Sequence, residues 1–245
     1  MCNFHVFSHP YLVINGRDNH YKEVFQLFIL CVLLVVSLTI LIYLTYIDSK
    51  NYRVLSKTIT SILFLAIAIL SYLNHNCNFS YFLFIILGLV FSLFGDVFLA
   101  FNKDNGKMFV LGLFSFCITH VFYYVAFNHL TDFSIVYFLI SIAFGSVVVI
   151  GMKLMKFLDF GKLFKIIVLY TYIISFMLFK AISLYSYHAI WSNLIIVGAI
   201  LFTISDMILS FVLFYKDCPK FMESLNLATY YIGQMIIALS IGYMF

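Results

Sequence analysis

Residues 80–101 read SYFLFIILGLVFSLFGDVFLAF, twenty-two positions whose single charged side chain is Asp96. A helix of that length rises about 33 Å at 1.5 Å per residue, enough to cross the hydrocarbon core of a bilayer. The run Phe91-Ser92-Leu93-Phe94-Gly95-Asp96-Val97-Phe98-Leu99-Ala100-Phe101 has a near duplicate further on. Leu201-Phe202-Thr203-Ile204-Ser205-Asp206-Met207-Ile208-Leu209-Ser210-Phe211 sets a second aspartate in the same frame. A charged side chain inside a membrane helix costs roughly 2.5 to 3.5 kcal/mol on insertion scales, so it faces a protein interior or a cavity and has a task there. Two in matching frames point to one shared site.

Similar apolar runs lie near 24–46, 57–73, 80–101, 107–128, 133–152, 162–182, 189–211 and 224–244. The fold class is therefore all-α, a polytopic transmembrane bundle of about eight helices. Composition agrees: the chain is 64% hydrophobic and only 10% charged, against roughly 25% in a soluble domain. Its mean hydropathy is +1.09. Eight spans fill the 245 residues and leave no room for a separate soluble domain. Residues 1–23 form a polar N-terminal extension, too polar for a secretory signal peptide, and 24–245 form a single membrane domain. The first span reads as an uncleaved signal anchor.

Lysine and arginine sort the connections. Eleven of them (Lys50, Arg53, Lys57, Lys103, Lys107, Lys153, Lys156, Lys162, Lys165, Lys216 and Lys220) follow odd-numbered spans, and only Arg17, Lys22 and Lys180 fall on the other side. The positive-inside rule makes the odd connections cytoplasmic. Both aspartates then lie about five residues, roughly 7 to 8 Å, from a cytoplasmic helix end. The host is an endoplasmic reticulum membrane in a eukaryote or an inner membrane in a bacterium. The 110-residue offset between the aspartates also separates His120 from Tyr230, so residues 24–128 and 133–244 read as two four-helix halves in parallel repeat.

Function classes narrow quickly. The net charge of +4 is scattered through loops rather than gathered with exposed aromatics, which argues against a nucleic-acid partner and for lipid headgroups. Cys2, Cys31, Cys77, Cys117 and Cys218 form no close pair and no metal-ligand spacing, so neither a disulfide framework, a metal nor another cofactor is expected. If the Asp96 and Asp206 helices adjoin, the two carboxylates would share one proton, one acting as acid and the other as base. Ser92 and Ala100 flank Asp96 at helical spacing, and Thr203 and Ser210 flank Asp206, small residues that leave room for a ligand or a close helix. His120 is the one histidine deep in a span, with Tyr123 on its face. It lies some 10 Å deeper than Asp96 by residue count, lining the cavity without touching the acid. Tyr230 and Gln234 share a face of the last span, and Tyr170, Tyr172 and Asn193 add further polar groups. Lys57 and Lys103, at helix ends, are candidates for a lipid phosphate, although such lysines more commonly snorkel to the interface.

Four stretches carry a resemblance in order: Phe91 to Leu99; Gly112-Leu113-Phe114-Ser115-Phe116 leading to His120 and Tyr123; Gly198 to Asp206; and Thr229-Tyr230-Tyr231 with Gln234 through Ser240. Together they resemble the YhhN-like lysoplasmalogenase family. The resemblance implies an eight-helix hydrolase that splits the vinyl-ether bond of 1-alkenyl lysophospholipids, giving a fatty aldehyde and glycerophosphoethanolamine or glycerophosphocholine. It implicates Asp96 and Asp206 as the catalytic pair, and His120, Tyr123, Tyr230 and Gln234 as pocket residues. Each Asp→Asn substitution is expected to abolish turnover.

Rival classes remain at this level. A proton-coupled transporter also places acids between repeats, yet Pro10 and Pro219 lie outside the spans and no broken helix is evident. An intramembrane aspartyl protease lacks its Gly-x-Gly-Asp form, since Leu93 stands where the first glycine belongs. A metal-dependent lipid hydrolase would need Asp96, Asp206 and His120 to converge as ligands. A non-catalytic lipid-binding protein would show no turnover with any lysolipid.

Overall fold

The computed structural model describes residues 10–75, 78–101 and 106–244, with side chains from Tyr21 onward except at 50, 51 and 75. Among these residues the secondary structure is helical throughout, with no strand. The helices are α1 (Pro10–Tyr46), α2 (Lys50–His75), α3 (Phe79–Ala100), α4 (Gly106–Asn128), α5 (Ile135–Leu154), α6 (Phe164–Ser183), α7 (Ile190–Phe214) and α8 (Lys220–Ser240). All eight are long and apolar enough to cross a membrane.

The eight apolar runs coincide with these helices, and the differences lie at polar ends that hydropathy underweights. α1 begins at Pro10, inside the polar extension, because proline suits the first helical turn, where its missing N–H would have no partner anyway. α2 begins at Lys50 rather than 57, adding the polar turn that carries Arg53. At the start of α3 the Asn78 side chain accepts from the Tyr81 N–H at 3.2 Å, satisfying one of the open donors there. Between α5 and α6, Gly161 adopts a φ of +49°, a left-handed turn that glycine enters without steric cost. The Asp159 N–H of the same loop donates to the Phe214 carbonyl at 3.0 Å, tying the loop over the end of α7.

Packing follows a pattern that recurs between the two halves of the chain. α3 packs on α4 as α7 packs on α8, α1 on α2 as α5 on α6, and α2 on α3 as α6 on α7. Across the halves α2 packs on α8 and α6 on α4. α1 also leans on α8, while α5 packs closely on α6 alone. A close backbone approach joins α7 and α8: a Cβ on Gly198 would come within 2.6 Å of Ile237 Cγ1 and 3.0 Å of the Gly233 carbonyl oxygen. A continuous apolar core, including Phe64, Leu89, Phe116, Phe202 and Tyr231, fills the centre. A smaller one around Met152, Leu158, Phe160 and Ile167 lies at the lysine-rich end.

Candidate active site

Asp96 and Asp206 each accept hydrogen bonds from two other helices, and they share no partner. Asp96 Oδ2 accepts from Ser61 Oγ of α2 at 2.7 Å and from the Tyr230 hydroxyl of α8 at 2.8 Å. Its Oδ1 lies 3.5 Å from Lys57 Nζ, and both side chains are buried. Asp206 Oδ2 accepts from the Tyr170 hydroxyl of α6 at 2.5 Å and lies 3.0 Å from His120 Nε2 of α4, which donates to it in the Nε2–H tautomer. Each aspartate thus meets the second helix of its own half and the fourth helix of the other. The ring of Phe202 stands between the two centres, 4.6 Å from the His120 ring centre and 5.4 Å from that of Tyr230.

This geometry replaces the single shared-proton pair with two separate centres. α3 and α7 are not close neighbours; α2, α4, α6 and α8 pack between them. Equal depth also fails on the helix ends: Asp96 lies four residues before Ala100 and Asp206 eight before Phe214, about 6 and 12 Å respectively. His120 does not touch Asp96 among the described residues; it reaches Asp206 instead. Lys57 is not a rim residue: it sits two turns inside α2 and turns inward to Asp96. Lys103 lies outside the described residues.

The remaining expected residues form a third network. The Tyr123 hydroxyl donates to Gln234 Oε1 at 2.6 Å, Gln234 Nε2 donates to Ser92 Oγ at 2.8 Å, and Ser92 Oγ donates to Thr119 Oγ1 at 3.2 Å. That chain pins α3, α4 and α8 together and reaches neither carboxylate. The small residues beside Asp206 likewise bond elsewhere: Thr203 Oγ1 to the Ala199 carbonyl, Ser210 Oγ to the Met207 carbonyl, and Ser205 with Asn226. Ser61 and Tyr170 emerge as direct partners. Ser61 carried a faint signal, lying at i+4 from Lys57 on one helix face, whereas Tyr170 was one tyrosine among eighteen.

The two centres differ in access. Asp96 is 2% exposed and lines no cavity described. Asp206 lines two. One, of about 380 Å³, lies among α5, α6 and α7 between apolar side chains that include Phe144, Val148, Met152 and Ile174. The other, of about 40 Å³, lies on the side of Leu99, Phe109, Leu113 and Phe116 and also touches Tyr170 and Ser210. Both hydrogen bonds to Asp206 fall on Oδ2, and Oδ1 takes none among the described residues. His120 Nδ1 is buried without a hydrogen-bond partner among the described residues. Among the described residues no three His, Cys, Asp or Glu side chains converge as metal ligands, since Asp96 keeps to Lys57.

The YhhN family model matches residues 52–241, which spans α2 through α8. The chain belongs to the YhhN family. Two relatives are lysoplasmalogenase TMEM86A of Homo sapiens and of Bos taurus, each 32% identical over 164 residues, or 64% of this chain. The match also spans 64% of the length of those relatives. No solved structure gives a significant match. Both centres, and every residue of the three networks, fall inside the YhhN match.

Proposed function

We propose that this YhhN protein is a lysoplasmalogenase-like hydrolase, that it cleaves the vinyl ether of 1-alkenyl glycerophosphoethanolamine or glycerophosphocholine, and that Asp206 supplies the proton. The observation that carries this reading is the position of Asp206 between an apolar groove and a small second cavity, with Tyr170 and His120 behind it on Oδ2 and its Oδ1 open. The relatives' name supplies the reaction class.

A vinyl ether is inert to most nucleophiles but yields to acid. Protonated Asp206 delivers its Oδ1 proton to the β-carbon of the enol ether, and the double-bond pair forms the new C–H bond. The α-carbon becomes an oxocarbenium ion. The carboxylate left behind lies beside that cation, and Tyr170 and His120 stabilise it through Oδ2, in the manner of preorganised dipoles. A cavity of about 40 Å³ exceeds the minimum for a water molecule, and Asp206, Tyr170 and Ser210 give it polar partners. Water from that side adds to the α-carbon while Asp206 takes its proton, which restores the acid. The hemiacetal then collapses: its hydroxyl proton leaves, the C–O bond to glycerol breaks, and the glycerol oxygen is protonated. Products are a fatty aldehyde and the glycerophospho base. Neither a nucleophilic serine nor an oxidant enters the balance.

The test is aldehyde release by purified full-length protein from 1-alkenyl lysophospholipid and from its 1-acyl counterpart. In D2O one deuterium is expected on the aldehyde carbon next to the carbonyl, because the β-carbon proton comes from the acid. Equal release of fatty acid from the acyl substrate, or an aldehyde without that deuterium, would refute the mechanism.

A further inference from the structure

The groove that reaches Asp206 does not end there. Its wall includes Met155 and Phe211, and Phe211 is also part of a second apolar cavity of about 290 Å³ formed with Phe157, Tyr215 and Met222 at the lysine-rich end. The two cavities therefore share Phe211 as a wall, and Met155 of the one and Phe157 of the other flank Lys156. α5 packs closely on α6, and the larger cavity occupies the space between α5 and α7.

Charges at this mouth are few and distinct. Lys153 is held over the Phe164 ring at 5.7 Å, and Lys220 reaches the Tyr46 carbonyl at 3.4 Å. Lys156 and Lys216 are exposed, and neither side chain has a partner among the described residues. Asp159 turns its carboxylate to the Gly161 N–H, whereas Asp217, next to Lys216, is exposed without a partner among the described residues. The mouth thus offers two cations and one anion beside an apolar channel.

We infer that this mouth is the headgroup site, where Lys156 and Lys216 hold the phosphate of a zwitterionic lysophospholipid and Asp217 faces its ammonium group. The inference rests on the proposed reaction for the identity of the chain in the groove. A molecular ruler supports it. Seven bonds separate the vinyl β-carbon from phosphorus, roughly 9 Å when extended at ordinary bond lengths. Starting from Asp206, roughly 9 Å is about six residues along α7, the level of Val212, between Phe211 and Tyr215. Headgroup and scissile bond are therefore both in reach in one pose.

The test compares the full-length protein with Lys156→Gln, Lys216→Gln, their double variant, Asp217→Asn, and Lys162→Gln as a charge-matched control on the same loop. Substrates are 1-alkenyl glycerophosphocholine, 1-alkenyl glycerophosphate and 1-alkenyl glycerol. A lysine near an anionic group is worth about fivefold in affinity. KM for the choline substrate is expected to rise about fivefold per lysine and roughly 25-fold in the double variant, with kcat unchanged and no effect on 1-alkenyl glycerol. Asp217→Asn should raise KM for the choline substrate but not for 1-alkenyl glycerophosphate. An equal rise with Lys162→Gln, or no rise in the double variant, overturns the site. Equilibrium binding of the non-hydrolysable 1-alkyl glycerophosphocholine separates the two failures. If wild-type protein releases no aldehyde yet binds this lipid in a Lys156- and Lys216-dependent way, the headgroup site stands and the reaction falls. If it binds without that dependence, the site falls.

Discussion

Asp96→Asn is expected to injure the fold rather than the chemistry. The substitution leaves the Lys57 Nζ buried, 3.5 Å from a position that no longer carries a carboxylate oxygen. At that separation and an effective dielectric near 20 the lost attraction is about 5 kcal/mol. Breaking one side of a buried ion pair typically costs about 3 to 5 kcal/mol, so the two estimates agree. Ser61 and Tyr230 can still donate to the amide oxygen, which keeps the cost from rising further. A loss of 3 kcal/mol lowers the folded-to-unfolded ratio by more than about a hundredfold. Removing both charges with Lys57→Met/Asp96→Leu should recover most of that loss, since apolar replacements of buried pairs are commonly neutral or stabilising. The assay is a double-mutant cycle on unfolding in a denaturing detergent titration, with turnover measured per folded molecule. A variant Asp96→Asn that keeps wild-type stability but releases no aldehyde would refute the reasoning and return Asp96 to the catalytic machinery.

Asp206→Asn should cut turnover by about 10²- to 10⁴-fold, the usual worth of a positioned general acid, with little change in KM; aldehyde release over time measures it. Tyr170→Phe removes one of the two donors on Oδ2 and should lower kcat by roughly 10- to 100-fold, as expected for a hydrogen bond to a charged group. Gly198→Ala pushes a methyl to within 2.6 Å of Ile237 Cγ1 and 3.0 Å of the Gly233 carbonyl oxygen, and should cost about 1 to 3 kcal/mol in the same unfolding titration.

How much of this was legible depends on the range of the interaction. Span positions follow from composition alone, because a twenty-residue apolar run has few other fates in water or lipid. That Asp96 and Asp206 would each be met by polar partners from other helices was legible for a similar reason: a carboxylate in such a run is expensive. Which groups answer each carboxylate was not. The donors come from helices distant in sequence, with Tyr230 134 positions and His120 86 positions from their aspartates, and no local spacing encodes such pairings. The small neighbours of Asp206 do leave room: Thr203 and Ser210 line the cavities beside it, while the Thr203 hydroxyl bonds to the Ala199 carbonyl four residues back and not to the carboxylate. Lys57 misled because hydropathy places a lysine at the nearest helix end, whereas a carboxylate on a neighbouring helix draws it inward.

The matched frames of the two aspartates end in opposite arrangements, and the difference bears on which one can give up a proton to carbon. Asp96 faces Lys57 at 3.5 Å, is 2% exposed and lines no cavity among the described residues. Asp206 meets a tyrosine, a histidine and an apolar groove. No lysine or arginine faces it among the described residues, in contrast to Lys57 at Asp96. Proton transfer to an enol ether then has a compensating step: the charge created on the carboxylate appears beside the oxocarbenium ion created on the substrate. Placing a lysine at Ile167, 110 residues on from Lys57 and lining both cavities beside Asp206, would test this directly. Ile167→Lys should suppress aldehyde release by fixing the Asp206 charge, while Ile167→Met, similar in length but neutral, should retain it. Comparable loss in both variants would mean that packing, and not the charge state of Asp206, governs the reaction.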